Sequence, residues 1–234
     1  MGLTVHYKLR LVHGTARQAR AIIKKLHRKA LSLPFARVTD FAEYSNRGGY
    51  LRDLPDWFRA EIEFWALPRR GLVIVPQRVF GFLVVPGRGC ESATFGLLQY
   101  PKVFARAGGR RVPTRLSGWR WQAFCKTEYA SNPRYGGVAN FLRSHVALIA
   151  LLDEAAKIGL KTKILDEGGY ATGRDVGQLA LAVADWNEMI AGIVGVMKDA
   201  LPGGEHDAPI TRYPDFEHLE ARGRAKNGRL ASEW

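Results

Sequence analysis

Residues 3–11 read Leu-Thr-Val-His-Tyr-Lys-Leu-Arg-Leu. Residues 15–33 read Thr-Ala-Arg-Gln-Ala-Arg-Ala-Ile-Ile-Lys-Lys-Leu-His-Arg-Lys-Ala-Leu-Ser-Leu. In the first stretch Leu3, Val5, Tyr7, Leu9 and Leu11 alternate with Thr4, His6, Lys8 and Arg10. Successive strand side chains point to opposite faces, so this period predicts a strand buried on one side only. In the second stretch the period lengthens. At about 100° per residue, Ala19, Ile22, Ile23, Leu26 and Ala30 gather on one side of a helix. Arg17, Arg20, Lys24 and Arg28 gather on the opposite side. Thr15 is placed to cap this helix and Pro34 to end it. A strand with one dry face, followed by a helix with one dry stripe, predicts a sheet with helices laid against it.

Outward from there, Phe35–Tyr44 is predicted as a second strand. Residues 45–70 are rich in Gly and Pro and read as loop, with Tyr50, Trp57, Phe58, Phe64 and Trp65 packing on the remainder. Short strands are predicted over Gly71–Val75, Val79–Val85, Phe95–Tyr100 and Trp119–Tyr129, with a hairpin turn at Gly108-Gly109. A helix follows from about Gly137 to Ile158 and stops at Gly159. Lys161–Leu165 is a strand, and a last helix runs from about Arg174 to Leu201, with Thr172-Gly173-Arg174-Asp175 as its capping box. Val176, Leu179, Val183, Trp186, Ile190, Ile193 and Met197 recur along it at three- and four-residue spacing and are expected to be buried. Beyond Pro202 the chain reads as extended and polar. Residues 1–220 are read as one domain and 221–234 as a flexible tail. The fold class is α+β: a mostly antiparallel sheet covered by three main helices, its opening β-α-β compatible with a ferredoxin-like half.

Charge is unevenly shared. Residues 1–150 hold 25 of the 35 Lys and Arg but 8 of the 22 Asp and Glu, a net +17, while residues 151–234 carry −4. A hydrophobic share of 47% with 11% aromatics excludes a disordered basic chain. Two cysteines, Cys90 and Cys125, exclude a disulfide framework and fit a reducing compartment. Residues 1–10 lack the apolar run of a signal peptide, and Asp185, Glu188, Lys198 and Asp199 argue against a bilayer-spanning last helix. The expectation is a soluble, cytoplasmic protein with no membrane partner.

A field of one sign attracts polyanions, so the leading expectation is binding of nucleic acid, RNA or DNA, through residues 1–150. The candidate contacts on the first helix are Arg17, Arg20, Lys24 and Arg28. On the strand Trp119–Tyr129, Arg120, Gln122, Phe124, Lys126 and Glu128 share one face, a pattern suited to stacking bases and holding phosphate. Arg134, before the Gly136-Gly137 helix start, could add a phosphate contact.

The alternative is an enzyme, either a metal-dependent hydrolase or nuclease or a Cys/His type. Its site would lie near Asp166-Glu167, where a strand ends. His145, within an apolar helical stripe, and Cys125 are its further catalytic candidates. No cofactor is expected beyond a divalent ion that Asp166 and Glu167 could hold. A third expectation is a subunit of a larger assembly, with the C-terminal tail docking on a protein partner.

Overall fold

The computed structural model describes residues 3–45, 54–69, 72–105, 111–200 and 208–232. In chain order the strands are β1 (Thr4–Leu11), β2 (Arg37–Val38), β3 (Ala42–Ser45), β4 (Leu67–Arg69), β5 (Leu72–Ile74), β6 (Arg78–Val85), β7 (Ala93–Gln99), β8 (Val103–Ala105), β9 (Arg111–Pro113), β10 (Trp119–Lys126) and β11 (Lys161–Asp166). The helices are α1 (Ala16–Leu31), α2 (Asp56–Phe64), α3 (Gly137–Lys157), α4 (Tyr170–Gly173), α5 (Val176–Ala200) and α6 (Phe216–Ser232).

The main sheet has seven strands in the order β11-β1-β10-β7-β6-β2, with β3 also paired to β6, and every pairing is antiparallel. This is an α+β fold. Within it, β1, α1, β7, β10, α3 and β11 follow the β-α-β-β-α-β order. Their fourth strand lies beside the first, the first beside the third and the third beside the second. That is the ferredoxin-like arrangement. Its first half is completed by β7, and the segment read as one strand, Phe35–Tyr44, is two short strands that extend the sheet beyond β6.

The period-of-two reading of β1 holds from Val5 to Arg10: Val5, Tyr7 and Leu9 are buried with Leu3, while His6, Lys8 and Arg10 are exposed; Thr4, expected on the outer side, is buried. On the buried face, α1 and α3 pack against each other and against the sheet. The ring contacts His27–Phe82, Phe82–Phe95 and Phe95–Tyr7, at 5.0, 5.6 and 5.0 Å between centroids, run from α1 to β1. α1 begins as predicted. The Thr15 hydroxyl accepts from the Gln18 backbone amide, and the Gln18 side-chain oxygen accepts from the Thr15 backbone amide. α3 ends at Gly159, whose φ of 101° suits a residue without a Cβ.

Four expectations are corrected. Residues 45–70, read as loop, contain α2, whose Phe58 and Ile62 are buried; the flanking Gly and Pro masked its apolar spacing. Thr172 does not cap α5. It lies in α4, and the Asp175 carboxylate caps α5 by accepting from the Gln178 amide at 3.0 Å. From Phe216 the chain, read as extended, forms α6, which packs along α5. Finally, α5 is buried on a different stripe from the one predicted. Leu179 and Val183 are buried, Trp186 and Ile190 are half-buried, and Val176, Ile193 and Met197 are exposed. An almost wholly apolar helix satisfies three- and four-residue spacing along several stripes, so spacing could not choose among them. By length and composition α5 could cross a bilayer, with a mean hydropathy of 1.5. It nevertheless buries Asn187 and Glu188, and Arg222 of α6 pairs with Glu188. The expected turn at Gly108-Gly109 lies outside the described residues, although β8 and β9 on either side of it do pair.

Small residues let α5 and α6 approach closely. A Cβ on Gly192 would stand 2.7 Å from the Gly223 carbonyl carbon, and one on Gly223 would collide with the Glu188 carbonyl oxygen. Gly223→Ala is therefore expected to destabilise the protein by about 1–3 kcal/mol through overpacking. Chemical denaturation followed by circular dichroism checks this.

Candidate nucleic-acid interface

Strand pairing gathers one polar face from three distant parts of the chain. Directly opposed residues of antiparallel strands share a face. The register sets Arg10 beside Arg120 and Lys161, Lys8 beside Gln122 and Lys163, and His6 beside Phe124 and Leu165. The face is open: His6, Lys8, Arg10, Gln122, Lys161 and Lys163 are exposed, Phe124 is 54% exposed and Leu165 63%. Lys8, Arg10, Arg120, Lys161 and Lys163 form no ion pair among the described residues. The His6 ring lies 5.8 Å from the Phe124 ring, so two planar side chains stand together amid these cations.

Beside Phe124 the face deepens into a pocket of about 720 Å³. Its far wall is α2, which contributes Phe64, 72% exposed, and Glu61. The segment entering β7 contributes Glu91 and Ser92, and β7 itself contributes Thr94. Glu61 accepts from the Thr94 hydroxyl at 2.8 Å, and burial pushes its carboxyl above the usual range against that bond. Glu91 accepts from the Lys126 amide at 3.2 Å.

The residues singled out from the sequence are distributed as follows. Arg120 and Gln122 stand on this face. Lys126, at its edge, bonds the Tyr129 hydroxyl at 3.2 Å. β10 stops at Lys126, so Glu128 does not continue the face as expected. The chain turns inward there, Glu128 is buried against the Leu3 amide, and burial pushes its carboxyl up to about 7. Arg134 lies in the short turn Pro133–Tyr135, ahead of α3. On α1, Arg20 pairs with Glu43 and Lys24 lies over the Phe41 ring, 5.2 Å from its centroid. Arg17 and Arg28 are exposed. The α1 stripe thus lies on the helix-covered side, away from the open face. Lys8, Arg10, Lys161 and Lys163 were not singled out. The signal for them was the alternation Lys161-Thr162-Lys163, matching Lys8 and Arg10 only once β11 is known to pair with β1.

The enzyme candidates do not meet at an accessible centre. His145 and Asp166 do come together, but inside the protein, with side chains 0% and 2% exposed. Thr127 Oγ1 lies 2.8 Å from His145 Nδ1, and Asp166 Oδ1 lies 3.1 Å from His145 Nε2, off the alignment of a full hydrogen bond. Asp166 also accepts from the Gly168 and Ala171 amides, each at 2.8 Å. Burial works to raise its carboxyl, but the His145 contact and the two amides prevail and hold it below the usual range.

Glu167, the next residue, points the other way. It accepts from the Thr4 amide at 2.9 Å and lies 3.9 Å from His6 Nε2. Alternation along the chain thus separates the two carboxylates proposed to share an ion. Among the described residues, no group of three or more His, Cys, Asp or Glu is placed to hold a metal. Cys125 is buried, its thiol faces the Glu91 carbonyl oxygen at 3.1 Å, and burial pushes it well above the usual thiol range. A thiol held protonated is not an activated nucleophile.

No protein-family model, curated protein or solved structure matches the chain.

Proposed function

We propose that this protein binds single-stranded nucleic acid across the open face of β11, β1 and β10. The observation that supports this reading is the gathering of Lys8, Arg10, Arg120, Lys161 and Lys163, free of described acidic partners, around the exposed Phe124 ring. Cations along a groove neutralise phosphate, and an exposed aromatic ring between them stacks a base. The arrangement also matches, by analogy of fold alone, sheet-type binders that stack bases on their two central strands. The surface is not confined to residues 1–150, because β11 lends Lys161 and Lys163.

The test is a titration of fluorescent single-stranded DNA and RNA at rising salt, with duplexes of the same sequence alongside. Single strands are expected to bind and to release steeply as salt increases. Phe124→Ala should weaken binding by about 1–3 kcal/mol, the contribution of one stacked base. It should leave the salt slope unchanged, because stacking releases no counterions. A protein that ignores every oligonucleotide at low salt would refute the proposal.

A further inference from the structure

We infer that the pocket beside Phe124 favours bases carrying an exocyclic amino group, and that Glu91, assisted by Glu61 and Gln122, provides the selection. The inference rests on the reading of this face as a nucleic-acid surface. The pocket, at about 720 Å³, has room for a nucleobase and its sugar. Phe64 and Phe124 offer ring faces, and Lys8 and Lys163 stand at its border for the phosphate.

What the pocket places within reach of a base edge is unusual for so cationic a surface: two carboxylates. An ionised carboxylate can only accept hydrogen bonds. One oxygen of Glu91 is occupied by the Lys126 amide, and its other oxygen has no hydrogen-bond partner among the described residues. Glu61 is fixed through Thr94. Carboxylates repel phosphate, so their use in this pocket lies with a donor.

Cytosine N4, adenine N6 and guanine N2 are such donors. Thymine and uracil carry carbonyl oxygens and no amino group. Their one donor on that edge, N3–H, is flanked by two carbonyl oxygens whose lone pairs would face those of Glu91, so a carboxylate that reaches it meets repulsion an amino group does not impose. Gln122, exposed on the same wall, can turn its amide to either edge and so follows the carboxylates without setting the choice.

The experiment compares oligodeoxycytidine with oligodeoxythymidine on the full chain at low salt. Oligodeoxycytidine should bind about tenfold more tightly. Glu91→Gln keeps an oxygen for the Lys126 amide and turns the other atom into a donor. It should therefore erase or reverse the preference while leaving the salt slope intact. Equal binding of the two oligomers by the native protein overturns the inference, as does a full cytosine preference in Glu91→Gln. In either case binding itself persists, so the nucleic-acid reading stands. No binding to either oligomer overturns both. Should Glu91→Gln fail to fold, Glu61→Gln, which keeps an oxygen for the Thr94 hydroxyl, carries the test, with a reduced preference expected and an unchanged one counting against the inference.

Discussion

Replacing Lys8, Arg10, Lys161 and Lys163 together with alanine is expected to lower affinity for a single strand by about 10²–10³-fold near 0.1 M salt. Each phosphate neutralised on a single strand contributes about 0.7 to the slope of log affinity against log salt. Losing four should flatten that slope by about three units. All four side chains are exposed on strands whose cores face inward, so melting should change little. The same measurement on Arg17→Ala with Arg28→Ala separates the open face from the helix stripe. Those two residues lie on the helix-covered side, where a strand seated on Phe124 cannot reach without wrapping round the molecule. Their loss should change affinity far less. Equal losses from the two variants would mean that general charge, not this face, holds the nucleic acid.

Asp166→Ala is expected to destabilise the protein by about 3–5 kcal/mol, as loss of one member of a buried polar pair does. The change leaves the buried His145 Nε2 without its neighbour and two part-buried backbone amides without their acceptor. Denaturant titration measures the loss. The pH dependence gives a second readout. Because folding depresses the Asp166 carboxyl, its contribution is present above the unfolded value of 3.8 and is lost as pH falls through the folded value. Asp166→Asn should remove that acid-limb component of the stability profile. The effect should reach the open face of the sheet, because Thr127, His145 and Asp166 join the end of β10, the middle of α3 and the end of β11.

What was legible in the sequence was local. β1, α1 with its cap, α3 with its terminal Gly159 and β11 each announce themselves by periodicity and by a residue at the end. α2 was not legible, because its nine residues after Pro55 show too few turns for a stripe to stand out. α6 was missed because its residues are mostly polar and its close contact with α5 depends on Gly192 and Gly223, which leave no hydrophobic signal. The candidate face was half legible. Arg120, Gln122 and Phe124 share a strand and so share a visible alternation. Lys8 and Lys163 became neighbours only through pairing across more than half the chain, which no local pattern reports. The separation of Asp166 from Glu167 should have been legible, since adjacent strand residues point apart.

The central place of β1 has a consequence during synthesis. Its partners arrive late: Val5 pairs with Cys125 on one side and with Asp166 on the other. At translation rates of 5–20 residues per second, β1 waits roughly 6–24 s for β10 and longer for β11. Through that interval both edges of the emerging strand are unpaired and able to join another chain. Charged side chains along an edge discourage such joining. His6, Lys8 and Arg10 therefore guard the nascent chain before any ligand can meet them. A ribosome-bound chain stopped before residue 161 should expose β1 along one edge, and substituting Lys8 and Arg10 by threonine should raise its tendency to aggregate.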